Sequence, residues 1–371
     1  MLLSGCGDDK KDDGTVAEGT PAPSTSASAT SAPSETPTPE AVDPASVKAN
    51  ELGSVPVMMY HVIKDAAKGE YDQTPAEFRA ELERMHKDGF VPITTRQLVQ
   101  GDFNVPAGKH PVVLTFDDSS PGQIQIGADG NPTADSAVGI LEAFSKDNPD
   151  FPATASFYVN SSPFNDPKAV PWLVANGYEV GLHTMSHINL KQSSETTIQK
   201  ELAGNADEIK TAAPDADTDW TLALPLGIGP SNKSLIHEGS SEGKSYKIIG
   251  ALLVGANPAK SPFNADFDPY AIARIRSGPK TKRVDFDSSY WLDDFEAGKW
   301  TAYTSDGDPN KISYPSTSKS TLGSDFTGKA NKYDPSGSTS GSASPNPSST
   351  ASSSSEDSES ESASPSSTST P

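Results

Sequence analysis

Apolar and polar positions divide the chain unevenly. Between residues 51 and 315 short apolar runs alternate with stretches of helical period, while residues 7–50 and 316–371 carry Ser, Thr, Pro and acidic residues with hardly a large apolar side chain. The run Val55-Pro-Val-Met-Met-Tyr-His61 reads as a strand. Thr74-Pro-Ala-Glu77 then opens a helix with Thr as N-cap, Pro in the first turn and Glu three residues on as a capping box, and Gly89 ends it. Further helices are expected at 95–100, 134–146, 167–176 and 193–212. Strands are expected at 112–116, 154–159, 179–182, 220–224, 247–254 and 271–275. Apolar runs alternating with helices imply parallel strands joined by crossover helices. The count of about seven favours an α/β domain whose parallel strands form a closed or nearly closed barrel rather than an open sheet, with disordered tails at both ends.

The two polar ends cannot repay the entropy of ordering by burying apolar surface. This gives four segments: residues 1–6, a linker at 7–50, one large domain at 51–315 and an acidic Ser-rich tail at 316–371. The formal net charge of -21 leaves no basic stripe for phosphates, which argues against nucleic acid as a partner. No apolar run approaches the ~18 residues of a membrane span. Nothing in the sequence calls for more than a monomer.

The only cysteine stands in Leu3-Ser4-Gly5-Cys6, which resembles the lipobox of bacterial lipoprotein precursors. That resemblance implies a lipid anchor on Cys6, a true signal start upstream of Met1, an extracytoplasmic location at the cell membrane, and a polar linker serving as tether.

Candidate chemistry gathers at two strand ends. Val112-Val-Leu-Thr-Phe-Asp117-Asp118 puts two carboxylates before the chain-breaking Ser119-Ser-Pro-Gly122. Neighbouring side chains in a strand point to opposite faces, so both acids can address one site only where the strand has ended. An Asp-rich turn cap is the plain alternative. Gly181-Leu-His183-Thr-Met-Ser-His187 follows another strand, and two histidines four apart share one face of a helical turn. Two His and one Asp with open positions make a catalytic rather than a closed metal site.

Together, Thr115-Phe-Asp-Asp118 and the downstream His183-Thr-Met-Ser-His187 resemble the first two motifs of the polysaccharide deacetylases, the NodB homology domain or carbohydrate esterase family 4. The likeness runs from about Val55 to Ser277, and Val57-Met-Met-Tyr-His61 resembles the entry strand of lipoprotein and secreted members. It implies a distorted (β/α) barrel and metal-assisted removal of N-acetyl groups from an N-acetylglucosamine polymer or peptidoglycan. Carried onto this chain, Asp118, His183 and His187 would hold a divalent metal, zinc first and cobalt or nickel next. Asp117 would be the general base, with a backbone N–H near Ser119 assisting the oxyanion.

The chain departs from the family pattern in three places. Ser119 stands where the family has Gly. Leu222-Ala-Leu-Pro225-Leu-Gly227 keeps Pro225 but lacks the Arg that orients the base. The late leucine-x-histidine motif that supplies the acid is missing, residues 272–277 reading Ile-Ala-Arg-Ile-Arg-Ser. His61 is the candidate substitute acid and Arg274 the candidate substitute Arg. The letters of Leu235-Ile-His237 fall in a polar loop, and His86 and His110 read as incidental. Trp172 and Trp220 read as core. Trp291 either packs against the barrel or stacks on a sugar. A catalytically weak member that binds metal and glycan, and a non-haem iron oxygenase with the same two-His-one-carboxylate set, are the alternatives.

Overall fold

A computed structural model describes residues 42–67, 69, 71–277 and 284–336. Contacts divide the chain into residues 1–39 and 40–371, and the described residues all belong to the second unit. Cys6 and residues 337–371 lie outside the described residues.

In chain order the unit runs β1 (Val57–Tyr60), α1 (Pro75–Lys87), β2 (Phe90–Ile93), α2 (Thr95–Gln100), β3 (His110–Phe116), α3 (Ala137–Asp147), β4 (Ser156–Val159), α4 (Ala169–Ala175), β5 (Glu179–Leu182) and α5 (Glu195–Ala212). It continues with β6 (Asp219–Ala223), β7 (Glu238–Ser241), β8 (Lys244–Leu252), β9 (Ile275–Arg276), α6 (Ser288–Glu296), β10 (Ile312–Pro315) and β11 (Ala330–Tyr333). The local signals act as read. Thr74 and Glu77 form a reciprocal capping box on α1. Ser194 caps α5 by accepting from the Thr197 N–H.

Seven strands lie side by side in the order β8-β6-β5-β4-β3-β1-β9, each pair parallel. A parallel bridge from Leu252 to Ile272 brings the end of β8 against the segment entering β9, so the row nearly closes into a barrel. β5 and β6 meet through one residue pair, Leu182–Leu222, and the β6–β8 register shifts between Trp220 and Thr221, so the barrel is irregular on this side. Side chains alternate between its faces. Val57, Val113, Tyr158, Ala223 and Leu252 share one buried cluster. Met58, Tyr60, Leu114, Phe116, Phe157 and Val159 fall in the cluster that also holds the buried side chains of α1, α3, α4 and α5. There Phe116 stacks between Tyr60 and Phe157 at 5.0 and 4.8 Å, contacts each worth about 0.5–1.5 kcal/mol beyond area burial.

Several expectations need correction. The sequence reading omits β2; the strand contains Pro92 and pairs only with β3, an edge position where a missing N–H is tolerated. β7 pairs antiparallel with β8, outside the parallel plan. The last parallel strand of the barrel row is Ile275–Arg276, later and shorter than 271–275. The expected linker at 7–50 already belongs to the fold by Ala49, which is fully buried, and Asn50, which bridges to Thr304. The expected disordered tail from 316 fails for residues 316–336: β11 pairs with β10 and the Tyr333 hydroxyl donates to the Ala49 carbonyl at 2.8 Å. Ala-Asn-Lys-Tyr carries no apolar signal, and its order comes from backbone pairing with a strand distant enough to escape a local reading. No helix among the described residues is long and apolar enough to cross a membrane.

Candidate active site

The site forms where the parallel strands end, and β3 supplies its first half. Val113, Thr115 and Asp117 share one face of that strand by alternation. Asp118 and Ser119 then take positive φ, 70° and 50°, so the chain leaves the extended form just as the second carboxylate arrives. This break lets neighbouring aspartates face one space, and Asp is among the residues that tolerate it best.

β5 supplies the second half. Residues 183–187 are not the expected helical turn; they form a loop in which Thr184 and His187 have φ of 60° and 53°. The rings of His183 and His187 nevertheless lie 4.8 Å apart. Asp118 Oδ1 is 3.0 Å from His183 Nε2 and 3.5 Å from His187 Nε2. The three ligand atoms all lie within 4.8 Å of one another, the one such group among the described residues.

Polar contacts hold this loop. The buried His183 Nδ1 donates to the Ala223 carbonyl at the end of β6, 2.7 Å away, which leaves Nε2 to face Asp118. The His183 N–H donates to Asn205 Oδ1 on α5. Asn160, just past β4, donates to the carbonyls of both His183 and Thr184, and Glu201 accepts from the N–H and hydroxyl of Ser186.

Asp117 is buried and so is Arg274, whose Nη1 and Nη2 donate to Oδ1 and Oδ2 at 2.8 and 2.7 Å. Arg274 also donates from Nε to the Leu253 carbonyl and from Nη1 to Thr115 Oγ1. Arg274 thus holds both oxygens of Asp117 in one fixed plane. Burial alone would raise the Asp117 carboxyl; Arg274 foremost, with His183 and His61, outweighs that and brings it down to about 2. Burial also opposes ionisation of Asp118, and the His183 contact overcomes it, so that carboxyl too lies below the ordinary range. For His183, burial disfavours the cation, but the hydrogen bond to Asp118 outweighs it and the imidazole is raised. The cluster therefore calls for positive charge. Two nitrogens and a carboxylate oxygen around one small space, with the His183 tautomer set from behind, suit a divalent cation with open positions.

His61 faces the same space, its Nε2 3.8 Å from Asp118 Oδ2. Burial lowers its pKa, and Asp117 and Asp118 offset that only in part. Gln123, fully buried, donates to the carbonyls of both His61 and Asp117 at 2.7 Å and pins the ends of β1 and β3 together. Ser119 accepts the Asn160 N–H on its hydroxyl. Pro225 is buried and starts a tight turn in which Leu226 has φ 59°.

Trp291, a candidate sugar platform, instead packs against the core, donates to the Ala256 carbonyl and meets the rings of Tyr290 and Trp300. Trp220 is buried and Trp172 half-buried against the core. His237 is exposed and stacks on Tyr270, His86 pairs with Asp150, and His110 meets the Tyr303 carbonyl. A groove of about 810 Å³ between α5 and the β7–β8 hairpin lies away from this chemistry, its Lys244 and Lys247 already paired with Asp207 and Asp219. Sequence reasoning misses Gln123, Asn160 and Asn205. Each is a lone amide with no motif around it, recognisable only by what it touches.

Fold and site define a barrel protein with an Asp–His–His centre and a separately held aspartate at its strand ends. Residues 104–241 match the family described as polysaccharide deacetylase, a span that contains Asp117, Asp118, His183 and His187 but neither His61 nor Arg274. Over that span the chain is similar to the polysaccharide deacetylases, which are hydrolases. No curated protein matches it. Among solved structures it is similar to the Streptococcus pyogenes deacetylase PplD in complex with acetate, with 18% identity over 65% of this chain and 97% of that one, TM-score 0.47. It is also similar to a polysaccharide deacetylase from Bacillus cereus, with 18% identity over 66% and 68%, TM-score 0.47. IcaB from Ammonifex degensii is a third, with 19% identity over 60% and 91%, TM-score 0.43.

Proposed function

We propose that this protein is a metal-dependent deacetylase acting on N-acetylglucosamine units of an extracellular or cell-wall polysaccharide, tethered outside the cytoplasm through Cys6. The observation that carries the reading is the pairing of two differently held carboxylates. Asp118 meets both histidines at 3.0 and 3.5 Å, while its neighbour Asp117 is gripped by Arg274.

Asp118, His183 and His187 would hold the cation, zinc by preference, which when bound supplies a Lewis acid for the acetyl carbonyl and makes a water more acidic. Asp117 is ionised at every physiological pH and accepts the proton of the attacking water. A carboxyl brought down to about 2 is a weak base by itself, and it needs a water that is already acidified. Arg274 fixes the plane of that carboxylate. His61 faces the centre from the end of the neighbouring strand β1 and donates the proton to the departing amine. Ser119 and the Pro225 turn border the site and would contact the sugar.

The reading as a weak or inert glycan binder rests on a missing Arg and a missing His. Arg274 and His61 stand beside the centre and argue for turnover. The test is acetate release from N-acetylglucosamine oligomers and from peptidoglycan by residues 42–336, with zinc added. Release that disappears in Asp117→Asn is expected. No release from either substrate with metal bound would replace this reading with the binding one.

A further inference from the structure

His61 and His183 are both largely buried imidazoles at the site, but they are held differently. His183 is fixed through Nδ1, which donates to a carbonyl. His61 Nδ1 is buried and meets no hydrogen-bond partner among the described residues. Its backbone is pinned by Gln123, which leaves the torsions of its side chain free of any polar restraint behind the ring.

What the ring meets instead is Tyr71, with centroids 5.0 Å apart and planes tilted by 38°. Tyr71 lies in the loop between β1 and α1. That loop is folded back on itself by the Gln73 N–H donating to the Val62 carbonyl and the Lys64 N–H donating to the Gln73 carbonyl. This closure returns residue 71 to the end of the strand from which the loop departed. At the loop's other side, the Ile63 N–H donates to the Pro121 carbonyl, and a Cβ on Gly122 would collide with the Ile63 carbonyl oxygen. The loop is thus seated against the turn that follows the two aspartates.

We propose that Tyr71 is a positioning residue for His61: its ring, in place of a hydrogen-bonded carboxylate, sets the orientation in which Nε2 faces the Asp117–Asp118 centre. The proposal rests on the reading of His61 as proton donor to the leaving amine. In that step water adds OH to the acetyl carbon, the C–N bond breaks with its electron pair going to nitrogen, and that nitrogen takes the proton of His61. An imidazole free to rotate presents Nε2 for a fraction of the time, so kcat falls while substrate binding is untouched. The aromatic ring matters here and the hydroxyl does not.

The leaving group provides the discriminating measurement. An amine must be protonated to leave, whereas the phenolate of an aryl acetate leaves without help. Tyr71→Ala is expected to lower kcat on the glycan amide about 10-fold, with KM and aryl acetate hydrolysis little changed, and Tyr71→Phe to restore it. Equal losses on amide and ester, or a change confined to KM, would overturn the positioning role. His61→Ala should show the same split more strongly. Equal losses on both substrates there would remove the proton-donor reading, and with it the proposal, by a separate route.

A second readout needs neither metal nor turnover. Modification of the metal-free protein with diethyl pyrocarbonate, followed at His61 by peptide mass spectrometry, should be faster in Tyr71→Ala than in the wild type or Tyr71→Phe. Equal rates in all three would show that Tyr71 does not hold the ring.

Discussion

Arg274 donates from both terminal nitrogens to both carboxylate oxygens of Asp117, a residue 157 positions earlier in the chain. Lys in its place offers a point charge without the fork and leaves one oxygen and the Leu253 carbonyl unserved. Arg274→Lys should retain the fold but lose at least about 10²-fold in acetate release. Arg274→Ala leaves a buried carboxylate unpaired and should cost about 3–5 kcal/mol, read from the denaturant midpoint.

The two aspartates should separate by readout. If the proposed roles hold, Asp117→Asn should keep the divalent metal through gel filtration but stop turnover, because it would remove the proton acceptor and none of the candidate ligands. Asp118→Ala, His183→Ala and His187→Ala should each lose the metal, as measured by atomic emission. Retained turnover in Asp117→Asn would remove it from the role of base.

Asn160 touches no ligand atom, yet its amide spans the carbonyls of His183 and Thr184 at 2.9 and 3.0 Å. Asn160→Ala frees a loop whose Thr184 sits at φ 60°. Metal affinity, measured by competition with a chelator, should weaken about 10–100-fold with little change in melting temperature.

Two buried acids should tilt the stability curve in opposite directions. The Asp117 carboxyl lies at about 2, below its unfolded value, so its stabilising contribution is complete above pH ~4 and disappears as pH falls through 2. Glu51 is the reverse. Burial raises it to about 8, with Asp306 adding to the rise against hydrogen bonds from Ser313 and Tyr303. The unfolded chain therefore sheds this proton near pH ~4.5 while the fold keeps it, and stability declines from there up to about pH 8. Glu51→Gln should flatten that decline and gain on the order of 2 kcal/mol at pH 7, followed as melting temperature against pH.

Residues 316–336 carry a structural role that composition conceals. A chain ending at 315 loses the partner of β10 and the Tyr333 bond to Ala49. It should melt several degrees below a chain ending at 336, and equal melting temperatures would return this segment to the tail.

Much of this protein is legible in short stretches of chain. The capping box at Thr74 and Glu77, the helix at 95–100 and the strand at 179–182 follow from residues a few positions apart, because capping and periodicity are local forces. The aspartate pair and the two histidines are each compact motifs at a strand end, so the candidate ligand set can be picked out from the amino-acid sequence alone. The two histidines converge through a local form other than the expected one, since a loop with two positive φ values brings them as close as a helical turn would. The partner of Asp117, the support of His183 and the contact between Tyr71 and His61 come only with the tertiary structure. No local rule joins residues 274 and 117, or 205 and 183. They meet because a nearly closed barrel collects the ends of strands far apart in sequence, and burial there makes every polar atom find its partner across that distance or go without.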